Sequence, residues 1–483
     1  MILKRAVKIT LLGTAVLLMA LLVATGWYLG RAMPIGAGFV AKYICSAVFI
    51  SHRDPIIAFK EDVVPVNPLA RFVDYRIDRG QLKVQATALG LFARQAIFRD
   101  GCGCTLVVGT TEEKVRAQKI VEPDFNKSRP VRPQDQPWPE GAQGAVDGAA
   151  MGVDTNRLQK ALDAAFTEPG PEKKRNTRAV VVVYHGRLIA ERYAPGFDKD
   201  MPLLGWSMAK SVTNALVGIL VQEGRFDPLR PAPVPEWRSP GDPRRRITLD
   251  QLLRMSSGLA FKEVYAPLFD ATTMLYDSYD FAAYAAGRPL AGPPDSRWNY
   301  SSGTANIVAR VVRQTVEKNY PYYYSFLYQK LFDPIGMYSA VFEPDASGTF
   351  VGSSYLFATP RDWARFGQLF LQDGVWQGQQ ILPEGWVKYT TTPTGGAPKG
   401  QYGAFFWLNA GQRDNPALRR WPDAPTDAYA ALGFQEQMVI VIPSHHAVLV
   451  RFGATSDRSA WNTNHFIRDV LTALQGGVGA LAR

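Results

Sequence analysis

Two hairpins rich in β-branched residues do most to restrict how the last part of this chain can fold. In the first, Val180-Val181-Val182-Val183-Tyr184 and Leu188-Ile189-Ala190 turn at His185-Gly186. In the second, Met438–Ile442 and Ala447–Phe452 turn around Pro443-Ser444-His445-His446. Helical periodicity dominates the sequence between them, and helices are also expected at Asn156–Phe166 and Ser459–Leu474. Strands at both ends of a helix-rich middle predict an antiparallel β-sheet flanked by helices, an α+β layout rather than a doubly wound one. The sequence has no internal repeat and no glycine loop of the dinucleotide-binding kind.

The 483 residues allow two or three domains, and 47% hydrophobic with 20% charged residues are the proportions of a globular chain. Ile9 to Leu29 form an uncharged, largely apolar run long enough to cross a bilayer, preceded by Lys4, Arg5 and Lys8. That bias would keep the N-terminus in the cytoplasm and send the chain beyond the run to the periplasmic, extracytoplasmic side. A cleavable signal peptide, leading to secretion, is the rival reading. The run exceeds the usual signal-peptide core and has no clean A-x-A site after it, which favours an uncleaved membrane anchor over residues 1–33. Residues 34–125 alternate short apolar runs with turns and read as a small, mostly-β accessory region. Residues 126–150, containing Arg129-Pro130-Val131-Arg132-Pro133 and Pro137-Trp138-Pro139, read as a linker or a surface-wrapping strap before a domain at 151–483.

Export would place Cys45, Cys102 and Cys104 in an oxidising compartment, where Cys45 can pair with Cys102 or Cys104 and leave one thiol free. With no histidine at ligand spacing the cysteines make a poor metal site, and no metal or other cofactor is expected. The net charge of +11 bears on solubility and partners, not on fold. A nucleic-acid partner lacks a motif and conflicts with export.

Ser207-Met208-Ala209-Lys210 opens a segment with an apolar stripe of Val212, Ala215, Leu216, Ile219 and Leu220, with Gly224 at the C-cap position. Residues i and i+3 share a helix face, so the Lys210 amine can reach the Ser207 hydroxyl and take its proton, provided burial or a second cation lowers the lysine pKa. Gly205-Trp206-Ser207-Met208-Ala209 also approaches the G-x-S-x-G nucleophile elbow, but the last glycine is missing and Asp198 to Gly205 is loop-like. A further proton-transfer group is needed, and Tyr300-Ser301-Ser302 has the best setting: it comes after Trp298-Asn299 and leads into a helix bearing Ile307, Val308, Val311 and Val312.

With these residues in place, the chain resembles the serine β-lactamase and penicillin-binding-protein superfamily. More narrowly it is similar to the class C β-lactamase-related hydrolases that include esterases and 6-aminohexanoate-dimer hydrolases. The resemblance covers about Met151 to Leu474. It extends to Ile247–Leu259, similar to the family's "ITL..LL..TSGL", to Leu331–Met337 ("PLGM"), to Ala358–Phe370 ("T..DLARFG.L") and to Tyr402–Trp407 ("YG..WW"). It implies a sheet flanked by helices plus an all-helical subdomain. It also implies Ser207 as the acylated nucleophile, Lys210 and Tyr300 as proton partners, and Ser302 where the family usually has asparagine. The K-T-G motif falls at Ala431-Leu432-Gly433-Phe434, which keeps only the glycine. The missing lysine removes a partner for a substrate carboxylate. The backbone N–H groups of Ser207 and Phe434 would still form the oxyanion hole. Gly433, Gln435 and Gln437 are candidate pocket residues, the glutamines equally well simply polar residues at a strand end.

The expectation is thus a membrane-anchored, outward-facing serine hydrolase acting on a small-molecule ester or amide. A cell-wall D,D-peptidase or β-lactamase is the enzymatic alternative, and a non-catalytic binding or sensor protein on the same fold the other.

Overall fold

The computed structural model describes residues 2–127, 129–412, 415 and 417–475. Residues 476–483 of the expected 151–483 domain lie outside the described residues, as does the side chain of Lys4.

The two hairpins meet in one six-stranded antiparallel sheet, in the order Trp407–Leu408, Tyr429–Gly433, Gln437–Ile442, Ala447–Gly453, Thr177–Tyr184, Arg187–Tyr193. Its central pairing joins the two ends of the domain, with Val448 opposite Val183 and Val450 opposite Val181. Alternation along the strands sends successive residues to opposite faces. Val180, Val182, Ile440 and Leu449 pack under the helices Thr155–Phe166 and Thr463–Gln475. Val181, Val183, Val439 and Val448 face the main core, which includes the helix Pro360–Leu371. Both faces are covered, which is why these strands read as nearly unbroken apolar runs. The middle of the chain supplies the helical part, including Ala209–Gln222, Asp270–Asp277, Phe281–Ala286 and Ser302–Val316. The α+β architecture is therefore the one expected.

The N-terminal apolar run belongs to a single helix, Ile2–Phe49, that does not end near residue 33. From Ile9 to Trp27 its large apolar side chains are exposed, a stretch long and apolar enough to cross a membrane. From Ala32 onward the helix is core: Val40, Ile44 and Val48 are buried, packed with Val84, Ala86 and Ala96. The latter belong to a four-stranded antiparallel sheet, Val73–Asp78, Lys83–Ala88, Phe92–Arg99 and Gly103–Leu106. Pro34 and the glycines around it look like helix-ending residues, yet a Cβ at Gly38 would lie 3.0 Å from the Tyr276 carbonyl oxygen. That glycine serves close approach of the helix to the larger domain.

One disulfide closes this N-terminal unit on itself, and two buried carboxylates tie it to the rest. Cys45 is bonded to Cys104, and Cys102 remains a buried thiol whose pKa burial pushes up to about 11. Lys42 pairs with Glu343, both buried, and the same carboxylate accepts from Ser46 Oγ at 2.8 Å and the Cys104 N–H at 2.7 Å. Buried Asp62 accepts from Arg53, from Arg178 of the large sheet and from Tyr43 Oη at 2.9 Å. Within the Pro-rich segment, Trp138 is buried, and Arg365 donates to the Pro139 and Gly141 carbonyls.

Candidate active site

Leu203–Leu204 pairs with the strand Leu356–Ala358, and the chain then turns sharply through Gly205 and Trp206 into Ser207. A Cβ on Gly205 would come within 2.4 Å of the Trp363 ring, so only glycine fits there. Trp206 adopts φ +48°, a conformation that costs a bulky residue on the order of 1–3 kcal/mol. Its ring is held between Tyr43, Tyr355 and Phe434, which over-determines the turn. A 3-10 turn, Trp206–Met208, leads into the buried helix Ala209–Gln222, and Lys210 stands one turn beyond Ser207 as the i, i+3 spacing requires.

Lys210 Nζ is buried, 3.0 Å from Ser207 Oγ, 3.1 Å from Ser302 Oγ and 3.0 Å from the Ser353 carbonyl oxygen. Ser302 Oγ donates to Glu263 Oε1 at 2.5 Å and therefore presents a lone pair to the amine. A neutral Lys210 can donate to Ser302 and to the Ser353 carbonyl and still direct its own lone pair at the Ser207 proton. Burial pulls the Lys210 pKa down to about 8, against the opposing pull of the Glu263 carboxylate, so a useful fraction of the amine is neutral near physiological pH.

Tyr300 precedes the helix Ser302–Val316, whose N-cap Ser301 accepts from the Thr304 N–H at 3.0 Å. The loop is fixed from below: the Asn299 N–H donates to the Met255 carbonyl, and Met255 itself has φ +59° within the Ile247–Leu259 segment. The Tyr300 hydroxyl interacts with the Ser207 side chain, and its ring lies 4.8 Å from Lys210 Nζ. Burial and the Glu263 charge hold its pKa well above the usual tyrosine value, so it is a neutral O–H and not a phenolate. Trp298, Tyr402 and Trp407 pack around it as an aromatic wall.

Gly433 and Phe434 end the strand that approaches the nucleophile turn. A Cβ on Gly433 would sit 2.2 Å from the Gly205 carbonyl oxygen, so the glycine lets the two backbones touch. The Phe434 ring packs on Trp206 and Tyr265. Gln435, with φ +60°, turns its side chain into a small cavity lined by Tyr43, Arg53 and Arg178, facing the N-terminal helix. Gln437 is occupied by the backbone, exchanging hydrogen bonds with Gly453. Gly433→Ala is expected to push the strand off the turn and lower turnover about tenfold or more, while circular dichroism stays that of the parent.

Two residues in contact with Ser302 carry no sequence signal. Glu263 and Tyr265 lie on a loop before the helix Asp270–Asp277, and no motif or periodicity marks them. Glu263 also accepts from the Ser302 N–H at 2.7 Å, and Tyr265 Oη donates to Glu263 at 2.8 Å and lies 3.4 Å from Ser302 Oγ.

An antiparallel sheet with a hydroxyl–amine pair at the start of a buried helix defines the serine β-lactamase and penicillin-binding-protein superfamily. Within it, a family model described as Beta-lactamase matches residues 156–472, and the chain belongs to that family. A 6-aminohexanoate-dimer hydrolase of Paenarthrobacter ureafaciens is 26% identical over 286 residues, 52% of this chain and 71% of the relative. Among solved structures, a family VIII carboxylesterase superposes with TM-score 0.53 at 15% identity, covering 69% of this chain and 99% of the other. A penicillin-binding-protein homologue from Caulobacter crescentus gives TM-score 0.51 at 16% identity, over 69% and 99%. At such identities the superpositions show the fold. The family and the sequence relative are hydrolases, and this chain is a hydrolase of that family.

Proposed function

We propose that the protein is a serine hydrolase that cleaves an ester or an amide through an acyl-enzyme on Ser207, held at a membrane by its N-terminal helix with the catalytic domain on the extracytoplasmic side. The observation that carries the reading is the buried Lys210 amine, placed 3.0 Å from Ser207 Oγ with both of its N–H bonds accounted for by Ser302 and Ser353. Neutral Lys210 takes the Ser207 proton as Oγ bonds to the acyl carbon. The oxyanion is met by the backbone N–H groups of Ser207 and Phe434. Tyr300 hands a proton to the departing alcohol or amine, and water then attacks the acyl-enzyme by the reverse relay.

The charge beside the reacting groups favours uncharged acyl substrates. The Glu263 carboxyl lies against Ser302 and Tyr265 beside Lys210, where a substrate carboxylate would meet a second acid group. The K-T-G lysine that would attract one is replaced by Ala431. Incubation with an activated acyl ester and, separately, with a fluorescent penicillin tests the reading by intact mass. Ester turnover with an adduct on Ser207 and no lasting penicillin label is the expected result. A stable penicilloyl adduct would favour the peptidase or β-lactamase alternative, and no adduct with either reagent would defeat the catalytic reading.

The same geometry sets the pH profile. Because Lys210 acts in its neutral form, kcat/KM should rise with pH through about 8. Glu263 raises the lysine pKa, so Glu263→Gln, which can still accept from Ser302, should move that limb to lower pH by about one unit. An unmoved limb would mean that the titrating group is not Lys210.

A further inference from the structure

Where the N-terminal helix leaves its exposed apolar run, Trp27, Tyr28 and Arg31 are of the types that settle at a bilayer interface. From that level one helix face, through Tyr28, Ala32, Gly36 and Phe39, lines a cavity of about 300 Å³. Its other walls come from Val73 and Ala88 of the small sheet, and from Tyr265 and Tyr276 of the catalytic domain. Tyr28 to Phe39 spans roughly 16 Å of helix, about the length of a medium-to-long acyl chain.

Two features tie this cavity to a bilayer and to the catalytic group. Val73 and Ala88 are paired at one end of the small sheet, and beside them Leu69, Phe72, Leu89 and Leu91 are exposed, Leu91 by 79%. They add exposed apolar surface next to the Val73 and Ala88 wall of the cavity, where water is a poor neighbour. At the inner end, Tyr265 is both a cavity wall and a contact of Ser302, the hydrogen-bond partner of Lys210. The residue is half exposed on a loop, and its ring stacks on Phe434.

We propose that this cavity admits the acyl chain of a bilayer lipid, its tail toward the membrane and its carbonyl end toward Tyr265, and that the substrate class of Ser207 is a membrane-resident acyl ester. The inference rests on the anchored-hydrolase reading above and adds the substrate class to it. In the reaction the Ser207 Oγ–acyl bond forms and the acyl–oxygen bond to the lipid alcohol breaks. The alcohol leaves with the proton passed through Lys210 and Tyr300, and water releases the fatty acid.

Gly36→Leu tests it, because Gly36 lines the cavity and a Cβ there meets nothing within 4 Å, so that the added side chain takes up cavity space. The full chain is reconstituted in phosphatidylcholine vesicles and given acetyl and dodecanoyl esters of the same chromogenic alcohol. The parent should prefer the dodecanoyl ester, by up to about fourfold for each methylene buried. Gly36→Leu should lose about tenfold or more on that ester and keep acetyl turnover within about twofold. No chain-length preference, or equal losses on both esters, overturns the inference and leaves the hydrolase reading standing. Hydrolysis of neither ester brings down the hydrolase reading itself. Independently of activity, a phosphatidylcholine with a photoreactive group at its acyl terminus should label residues 32–39 and 265–276. Labelling confined to 9–27 would show that no chain enters.

Discussion

Replacing Ser207 by alanine is expected to lower kcat/KM by about 10⁴-fold or more, and replacing Lys210 by methionine to cost nearly as much. In the proposed mechanism the two side chains act as one device, since the hydroxyl is a weak nucleophile until the amine 3.0 Å away removes its proton. The double variant should therefore be hardly worse than either single one. What activity remains would come from substrate binding and from backbone N–H groups, which neither substitution removes. Steady-state kinetics on an activated ester, together with the mass of the acyl-enzyme, gives the comparison. Multiplying losses in the double variant would show that Lys210 acts somewhere other than on the Ser207 proton. Tyr300→Phe should be milder on a good leaving group than on an amide, because it removes the proton donor and leaves the nucleophile intact.

Glu343→Leu is expected to destabilise the protein by about 3–5 kcal/mol, the cost of leaving a buried charge without its partner. The side chain of Glu343 is fully buried and that of Lys42 nearly so, and the carboxylate also satisfies Ser46 and the Cys104 N–H. Removing it strands an ammonium inside the unit that joins the N-terminal helix to the catalytic domain. Lys42→Met combined with Glu343→Leu should recover much of the loss, since two apolar side chains of similar volume leave no charge unpaired. Denaturant melts of the detergent-solubilised chain, read by tryptophan fluorescence, measure both. A double variant as unstable as Glu343→Leu alone would mean that the hydrogen bonds to Ser46 and Cys104, and not the ion pair, carry the site.

The parts of this molecule that local periodicity controls were legible in its sequence. The Val180–Tyr184 strand and its two-residue turn reflect a short β-branched run buried on both faces and residues that tolerate positive φ, here His185 at +46° and Gly186 at +73°. The Ser207–Lys210 contact reflects helical geometry, because three residues along a helix bring side chains back to the same face. What was not legible depends on chain return. Glu263 reaches Ser302 only because a loop folds over the start of a distant helix, and nothing near Glu263 in the sequence signals that. The strand end at Gly433 lies against the Gly205 carbonyl of the turn before Ser207, whereas the path of Gln435 depends on a positive-φ kink that returns its side chain toward the N-terminal helix. The length of that first helix was obscured for the same reason. Pro34 and its glycines are locally unfavourable, and packing against a sheet and a helix far along the chain overrides them.

The unbroken N-terminal helix has a mechanical consequence. Tyr43, on this helix, stacks on Trp206, the residue before the nucleophile, and lies roughly 24 Å along the axis from Trp27. In the proposed membrane-anchored arrangement, with no flexible joint between, the helix would act as a rigid post that fixes both the height and the tilt of the proposed catalytic cleft over the surface in which it stands. Such a domain gives up rotational freedom once, when it is installed. Its encounters with molecules in that surface then become a search in two dimensions at a constant approach angle, while molecules in bulk solution meet a cleft that cannot turn to face them.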